Sequence, residues 1–436
     1  MKKYFSIVLL STLALVARSQ DDVYPAKEFK GTLFITHGTI HVGNGQVIED
    51  GTVQVENGKI VKVGQNITVP QSGAKVVDAT GKQVYPGLIL AVTDLGLKEI
   101  ASGARGSNDY SELGDLNPNI RSIVAYNTDS KIINTLKSNG IVLAGVTPEG
   151  GTISGSSSVV QLDAWTWQDA TYKADFAIHL NMPSFLARPN RFAIFFGLPL
   201  TVVDPTRQSL EKVEEIKSFF RQAKAYLQEP THQKTNLKFE AVKGLFNKSQ
   251  KLFVHADQVK QMLVAIDFAK EFGFDVTIVG GSESFLIADL LKENNISVIL
   301  QQLHELPSME DDDVDQPYKT PTILQKAGVL FALNDAHEES RYRNLMFNAG
   351  TAVAYGLTRE QALQAITLNS AKILGIDDRT GSIEANKDAN LVISNGDILD
   401  MRTSIISHVF IQGREVSLEN KQTQLYDRYM TKYGLK

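Results

Sequence analysis

The second half of this sequence alternates short apolar runs with segments of helical periodicity, and no other feature restricts the fold as strongly. Strand, helix and strand at this spacing indicate parallel βαβ units. Further strands are expected near Leu88, Ile141 and Val159, and periodicity alone leaves a closed barrel and an open sheet as alternatives. The apolar runs are residues 252–254, 276–279, 296–300 and 329–333, and the helix-like segments are 259–272, 283–291 and 322–326.

Two β-rich patches lie far apart, one near each end of the chain, and we expect them to form one small β domain. The hairpin signal Asn57-Gly58 lies within the first patch. The charged segment 184–248 is predicted to form helices and a loop insertion, and residues 416–436 a C-terminal helical segment. The β-like runs are 32–35, 51–55 and 59–63 in the first patch, and 389–393 and 407–411 in the second.

Composition excludes several classes of protein. The 436 residues carry 44 basic and 49 acidic side chains, a net charge of −5, and no basic block that would suggest nucleic-acid binding. The sequence has no cysteine, so disulfides and thiol catalysis are excluded. The length suggests two or three domains, although a barrel of roughly 250 residues or more can be a single domain.

The N-terminus has the pattern of a secretory signal peptide. Lys2-Lys3 precede an apolar run at 7–16, and the small residues Ala17 and Ser19 follow. We expect cleavage after residue 19 and export to a bacterial periplasm or the medium; an N-terminal hydrophobic helix or anchor is the alternative. The run is too short to cross a bilayer comfortably, so a membrane-spanning protein is not expected.

Particular motifs give this chain a family resemblance. The first is Tyr85-Pro86-Gly87-Leu88-Ile89, which follows the N-terminal β patch. The second is a closing block of Gly356-Leu357-Thr358, Ala365-Ile366-Thr367, Gly381-Ser382-Ile383-Glu384 and Lys387-Asp388-Ala389-Asn390-Leu391-Val392. Together they resemble the amidohydrolase superfamily, especially its imidazolonepropionase-like members, from about residue 31 to about residue 414.

The resemblance implies an α/β fold, a (β/α)8 TIM-type barrel with a small composite β-sandwich domain formed by the N- and C-terminal parts. The expected units are the signal peptide 1–19, the β domain in two parts at 20–85 and 384–415, the barrel at 86–383 and the helical segment at 416–436.

The same resemblance implies metal-dependent hydrolysis of a bond from carbon to nitrogen or oxygen. One or two divalent metals, held by His and Asp at the strand C-termini, lower the pKa of a bound water, to about 7 in the best zinc cases. The first-strand ligand positions are here Val92 and Asp94, and valine cannot bind a metal. The fifth-strand ligand is retained as His255, whereas Gly280-Gly281 occupy the place of the sixth-strand histidine. The eighth-strand aspartate, the usual general base, is matched by Asp335.

A single-metal site could be rebuilt from the donors that remain. His255, His304 and Asp335, with Asp94 or His337, would form a set of two His and a carboxylate suited to zinc. The alternative is no metal, with His255 a structural histidine, Asp335 a helix cap and Asp94 a turn residue. The bridging fourth-strand ligand has no clear match, and Gln161 is near the expected place. Predicted substrate contacts are Tyr126, His304 and Arg341, and no chemistry is assigned to His37, His41, His179, His232 and His408.

Two functions therefore compete. The first is a hydrolase of non-peptide C–N bonds, acting on a cyclic amide or a small peptide-like substrate with a reduced metal site. The second is a non-catalytic relative that binds a ligand or pairs with an active amidohydrolase. Both imply a small-molecule ligand, and a homodimer is a further expectation from the family. The substrate is left open, because pocket loops set it and the fold does not.

Overall fold

Two eight-stranded sheets organise the chain. The computed structural model describes residues 23–99, 108–186, 205–301, 303–306, 312–335 and 340–435. The first sheet combines strands from both ends of the chain in the order β16-β15-β14-β5-β1-β2-β3, with β4 paired to β1. Its strands are β1 (Thr32–His41), β2 (Val47–Glu56), β3 (Lys59–Gly64), β4 (Lys75–Asp78), β5 (Gln83–Pro86), β14 (Leu391–Ser394), β15 (Ile406–Ile411) and β16 (Arg414–Glu415).

The link between the two chain ends is the pairing of β5 with β14. These strands run antiparallel, with Tyr85 opposite Val392. The inner face buries a separate apolar cluster that includes Leu33, Val53 and Phe410. The strands of both ends thus form one continuous sheet, and the arrangement of that sheet as a two-layer sandwich stays a prediction.

The second sheet is barrel-like and has the order β6 through β13. Three of its strands, Leu88–Thr93, Ile141–Val146 and Val276–Gly280, are almost entirely apolar and buried throughout, which is typical of a parallel sheet covered by helices. The strands of this sheet are β6 (Leu88–Thr93), β7 (Ile141–Val146), β8 (Ile153–Gln161), β9 (Thr171–Asn181), β10 (Lys251–Ala256), β11 (Val276–Gly280), β12 (Ser297–Leu300) and β13 (Phe331–Leu333).

The direction of β8 departs from the all-parallel (β/α)8 expectation. β8 pairs antiparallel with both β7 and β9, whereas β6–β7 and the pairs from β9 to β13 are parallel. The physical reason is the length of the connections. Only residues 147–152 join β7 to β8, and a parallel crossover needs a dozen residues or more. The fold is therefore TIM-like, with its third strand reversed.

A side chain bridges the two strands at the ends of this sheet. The Asn334 side chain, fully buried just after β13, accepts hydrogen bonds through Oδ1 from the backbone N–H groups of Ala91 (2.9 Å) and Val92 (3.3 Å). Its Nδ2 donates to the carbonyl of Val92 at 2.7 Å. The amide thus satisfies backbone groups of β6 that a neighbouring strand would otherwise satisfy.

Helices cover the outside of the barrel and connect its strands. The helix after β10 ends at Gly273, whose φ of +75° is the left-handed conformation that commonly terminates a helix. The helices are α1 (Ser122–Ala125), α2 (Lys131–Ser138), α3 (Trp167–Ala170), α4 (Pro205–Gln228), α5 (Leu237–Ala241), α6 (Lys243–Phe246), α7 (Val259–Phe272), α8 (Ala288–Glu293), α9 (Gln316–Ala327), α10 (Leu345–Ala354), α11 (Arg359–Ala365), α12 (Leu368–Leu374) and α13 (Lys421–Lys432), with 3-10 turns at Ser284–Ile287 and Tyr342–Asn344.

Some sequence predictions concern residues outside the described ranges. The signal peptide at 1–19 and the candidate ligand His337 both lie there. The described part of segment 184–248 contains α4, α5 and α6, as expected of a helical insertion. Among the residues that the structure describes, no helix combines the length and apolar character needed to cross a bilayer.

Candidate functional site

A cavity of about 270 Å³ opens where the barrel strands end. Its lining comes from the C-terminal ends of the parallel strands, from the loop after β7 and from the start of the reversed strand β8. This is the face on which TIM-barrel active sites lie. The lining residues are Val92, Thr93, Asp94, Thr147, Pro148, Glu149, Gly150, Ser154, Asn181, His255 and Gln301.

His255 on β10 lines the cavity and is joined to a second histidine behind it. Its Nε2 lies 2.9 Å from Nδ1 of His179 on β9, and Nε2 of His179 lies 2.9 Å from the Ser157 hydroxyl on β8. Burial lowers the pKa of His255 to about 4, and burial together with the neighbouring His255 lowers that of His179 well below its usual value. Both rings are therefore neutral near pH 7.

Asp94 also lines the cavity, at the end of β6, and is already held by protein groups. One carboxylate oxygen accepts a hydrogen bond from the buried Tyr342 hydroxyl, and the other lies 3.6 Å from the ammonium of Lys98. Burial and the Asp94 charge raise the pKa of Tyr342 far above its usual range, so this hydroxyl keeps its proton. Asp94 is thus more than a turn residue: it accepts a hydrogen bond from α10's leading 3-10 turn and faces a cation.

Asp335, the predicted general base, lies just after β13 but is not among the residues that line the cavity. Its side chain is fully buried; Oδ2 accepts from Asn348 Nδ2 at 3.0 Å, and Arg341 Nε lies 3.6 Å from Oδ1. His304 belongs to the same neighbourhood and contacts the Thr351 hydroxyl at 2.8 Å. Burial and the Arg341 guanidinium lower the pKa of His304, and the Asp335 carboxylate opposes them.

The four predicted metal ligands are therefore divided between two places. Asp94 and His255 share the cavity, whereas Asp335 and His304 lie with Arg341 outside its lining. Across the described residues, no group of three or more His, Cys, Asp or Glu side chains is arranged to hold a metal ion. A family metal such as zinc needs several such donors, so the described donor set does not fit it.

The place of the sixth-strand ligand is occupied by backbone that takes unusual angles. Gly280 and Gly281 have φ values of +105° and +68°, in the left-handed half of conformational space. Side chains rarely adopt these angles, so the chain at the end of β11 follows a path suited to glycine.

Two other sequence predictions are placed elsewhere by the structure. Tyr126, predicted to contact substrate, is buried with its ring beneath Gly96 and does not line the cavity. Gln161 was expected near a fourth-strand ligand position. It instead ends the reversed strand β8, opposite Leu143 near the start of β7, and it bonds Arg414 of the small sheet. Reversal of β8 carries its last residue to the far end of the barrel.

His179 is the site residue that sequence reasoning missed. The sequence assigned no chemistry to it, but it lies on barrel strand β9 with no side-chain exposure and contacts His255. The alternating pattern around Phe176, Ile178 and Leu180 was the available signal for a strand. Its partners on β8 and β10 could not be inferred, because pairing between strands is a tertiary contact.

Comparison with known proteins supports the fold and the motifs. A family model described as the amidohydrolase family matches residues 323–416. The imidazolonepropionase of Picrophilus torridus is 32% identical over 145 residues, which cover 33% of this chain and 35% of that protein. The imidazolonepropionase of Thermoplasma volcanium is 33% identical over 86 residues, covering 19% of this chain and 21% of that protein. The matched stretches thus span about a third or less of these curated relatives.

A solved structure gives broader coverage. The crystal structure of an amidohydrolase from Thermotoga maritima superposes with a TM-score of 0.71 at 29% identity, covering 88% of this chain and 99% of that one. The similarity therefore extends across both sheets and beyond the segment that the family model matches.

Proposed function

Because this chain belongs to the amidohydrolase superfamily, we propose that its barrel-mouth cavity binds a small organic molecule that carries no negative charge. We further propose that the chain binds this molecule without the family's metal-dependent hydrolysis. The observation that carries the proposal is the state of the cavity side chains. Asp94 is held by Tyr342 and Lys98, and His255 is held by His179, so both candidate metal donors in the cavity already have protein partners.

The charge of the cavity supports the choice of ligand. Asp94 and Glu149 contribute two carboxylates to the lining, which contains no lysine or arginine among the residues described, and the Lys98 ammonium beside Asp94 balances only one of the two charges. His255 is neutral near pH 7 because burial lowers its pKa to about 4. Placing an anion there would bring like charges together in a partly desolvated space, which is unfavourable. Two relatives are named imidazolonepropionases, and an imidazolone ring contains a cyclic amide, so lactam-like rings are suitable first probes.

The first experiment measures metal and ligand together. The purified chain is incubated with zinc, manganese or iron, desalted and analysed by mass spectrometry, and we expect well below one metal equivalent per chain. A panel of lactams and matched carboxylates is then titrated by protein-observed NMR. We expect lactams to bind the wild-type chain. The Val92→Phe substitution fills the cavity, so we expect it to abolish that binding. Val124→Phe is the control, because Val124 is 58% exposed and outside the cavity lining.

A metal-dependent C–N hydrolase is the second candidate. The favouring observation is that Asp94 and His255, at positions where the family carries ligands, line the same cavity. If the chain binds one full equivalent of metal and hydrolyses amides, and if His255→Ala abolishes that hydrolysis, this candidate is established and the binding proposal is wrong. If His255→Ala hydrolyses amides at the wild-type rate, the metal mechanism is wrong.

The cellular setting is also a proposal. We propose that the chain is exported through the predicted signal peptide at 1–19, and that it forms a homodimer or pairs with an active amidohydrolase in the same compartment. Fractionation of the producing cell, with the mass of the denatured chain from each fraction, tests export. The mass of the native protein from the same fractions tests dimer formation and pairing. Retention of residues 1–19 on protein found in the cytoplasm would contradict export.

A further inference from the structure

The hydrogen-bond chain behind His255 has a direction, and that direction specifies what the cavity offers to a ligand. Ser157 is fully buried on β8, and within the described residues its hydroxyl has one hydrogen-bond partner, Nε2 of His179 at 2.9 Å. If that nitrogen carried the proton and donated to Ser157, the serine proton would be buried without an acceptor. An unsatisfied buried donor costs about 1–3 kcal/mol. The serine hydroxyl therefore donates to His179 Nε2.

The remaining protons follow from the contact between the two rings. At 2.9 Å one nitrogen must donate and the other accept, and among the described residues no carboxylate pairs with either ring. A neutral imidazole carries one N–H and one acceptor nitrogen. Because Nε2 of His179 accepts, its proton is on Nδ1, which donates to Nε2 of His255 at 2.9 Å. Nε2 of His255 then also accepts, so the proton of His255 is on Nδ1. The described residues supply no partner for that N–H, and the ring lines the cavity.

We infer that Ser157 and His179 hold His255 as an Nδ1–H donor, and that the ligand atom placed against it is an acceptor oxygen of an uncharged carbonyl, as in an amide or lactam. The inference rests on the proposed binding function and deepens it. His179 and Ser157 act as positioning residues, because they set the polarity of His255 without lining the cavity. A ligand that presents only an N–H group at this point would meet another donor.

Ring-nitrogen NMR of the ¹⁵N-histidine-labelled chain tests the polarity without a ligand. We expect both His179 and His255, assigned with single-histidine substitutions, to show a protonated Nδ1 and an unprotonated Nε2. In Ser157→Ala, which removes the hydroxyl donor, we expect a mixture of tautomers. Ser158→Ala is the matched control: its hydroxyl accepts from the backbone N–H of Asp175, and it points to the other side of the strand. A protonated Nε2 on wild-type His255, or no change in Ser157→Ala, overturns the inference.

A probe pair tests the ligand class. N-methyl-2-pyrrolidinone offers a carbonyl and no N–H, whereas pyrrole, a ring of similar size, offers an N–H and no carbonyl. We expect N-methyl-2-pyrrolidinone to bind wild-type chain about tenfold more tightly, as one buried hydrogen bond allows, and to lose that advantage in His255→Ala. Equal binding of the two probes overturns the carbonyl assignment. If neither probe nor any other lactam binds, the proposed function has failed, while the ring-nitrogen spectra still decide the polarity of His255.

Discussion

At Gly280 and Gly281 the structure shows what a side chain would meet at the end of the sixth barrel strand. A Cβ on Gly280 would lie 2.6 Å from Asp257 Oδ1, and one on Gly281 would lie 2.8 Å from Val298 Cγ1. Both distances are shorter than any normal contact, and both glycines have positive φ. A histidine at this place therefore needs a different backbone and a different neighbour, which a single substitution cannot supply.

Substitution of Gly281 tests how strongly the backbone angles and the neighbouring side chain exclude a Cβ at this place. We expect Gly281→Ala to lower the free energy of unfolding by about 2–4 kcal/mol, from left-handed strain and crowding against Val298. Gly273→Ala is the matched control: its φ is +75° but nothing lies within 4 Å of the added Cβ, so about 1 kcal/mol of strain should remain. Urea unfolding measures both. If the two substitutions lower the free energy of unfolding equally, the added Cβ of Gly281→Ala is not crowded by Val298.

Among the elements, the contact between β1 and α11 joins the small sheet to the barrel through a partly buried histidine, His41. Nδ1 of His41 lies 2.6 Å from Glu360 Oε1, and its Nε2 lies 2.9 Å from Gln83 Oε1. The ring also stacks on Tyr85 at a centroid distance of 4.5 Å. Burial lowers the pKa of His41, but the hydrogen bonds to Glu360 and Gln83 and the charges of Glu360 and Asp397 outweigh it, so the pKa is raised.

The raised pKa makes this junction sensitive to pH. A histidine whose folded pKa exceeds its unfolded value of about 6.5 stabilises the fold fully below that pH. The contribution is lost as pH rises through the folded pKa. We expect the melting temperature of wild type to exceed that of His41→Gln by more at about pH 6 than at about pH 8. The exposed His37, which pairs with Asp50, provides the control His37→Gln. If the difference in melting temperature between wild type and His41→Gln is the same at both pH values, the pKa of His41 is not raised in the folded state.

For the molecule as a whole, one buried ionic cluster ties both ends of the chain to the barrel. Asp163, after β8, lies 2.9 Å from the Lys137 ammonium on α2 and 3.0 Å from the Arg414 guanidinium on β16. Its other contact is the backbone N–H of Ala26, at 2.9 Å. Asp163 and Lys137 are both almost fully buried. The cluster thus joins the N-terminal segment, the C-terminal strand and the barrel at one carboxylate.

Removal of that carboxylate should destabilise the entire molecule. Asp163→Ala leaves two cations without their shared anion, and breaking a buried pair typically costs about 3–5 kcal/mol. We expect a correspondingly lower midpoint of urea unfolding. Asp400→Ala, which breaks an ion pair with the 87% exposed Arg402, should change the midpoint little. A small effect of Asp163→Ala would mean that the chain ends are held by other contacts.

Local pattern was enough to predict much of this protein. The alternating runs from residue 251 onward predicted β10 to β13 and their helices, and the two β patches predicted strands from both chain ends. The family resemblance was confirmed, and so was the TIM-like fold that it implied. These features depend on side-chain periodicity and on short contiguous motifs, which are properties of neighbouring residues in the sequence.

Only the tertiary structure decided the direction of β8, the hydrogen bonds from Asn334 to β6 and the environment of His179. Each of these depends on which distant strand becomes a neighbour, and periodicity carries no information about partners. The same holds for the cavity. Its lining contains Asp94 and His255 but not Asp335 or His304, although all four lie at or just after the C-terminal ends of barrel strands. The residue types were visible from the start, but hydrogen-bond partners and burial, which set their chemistry, come from packing.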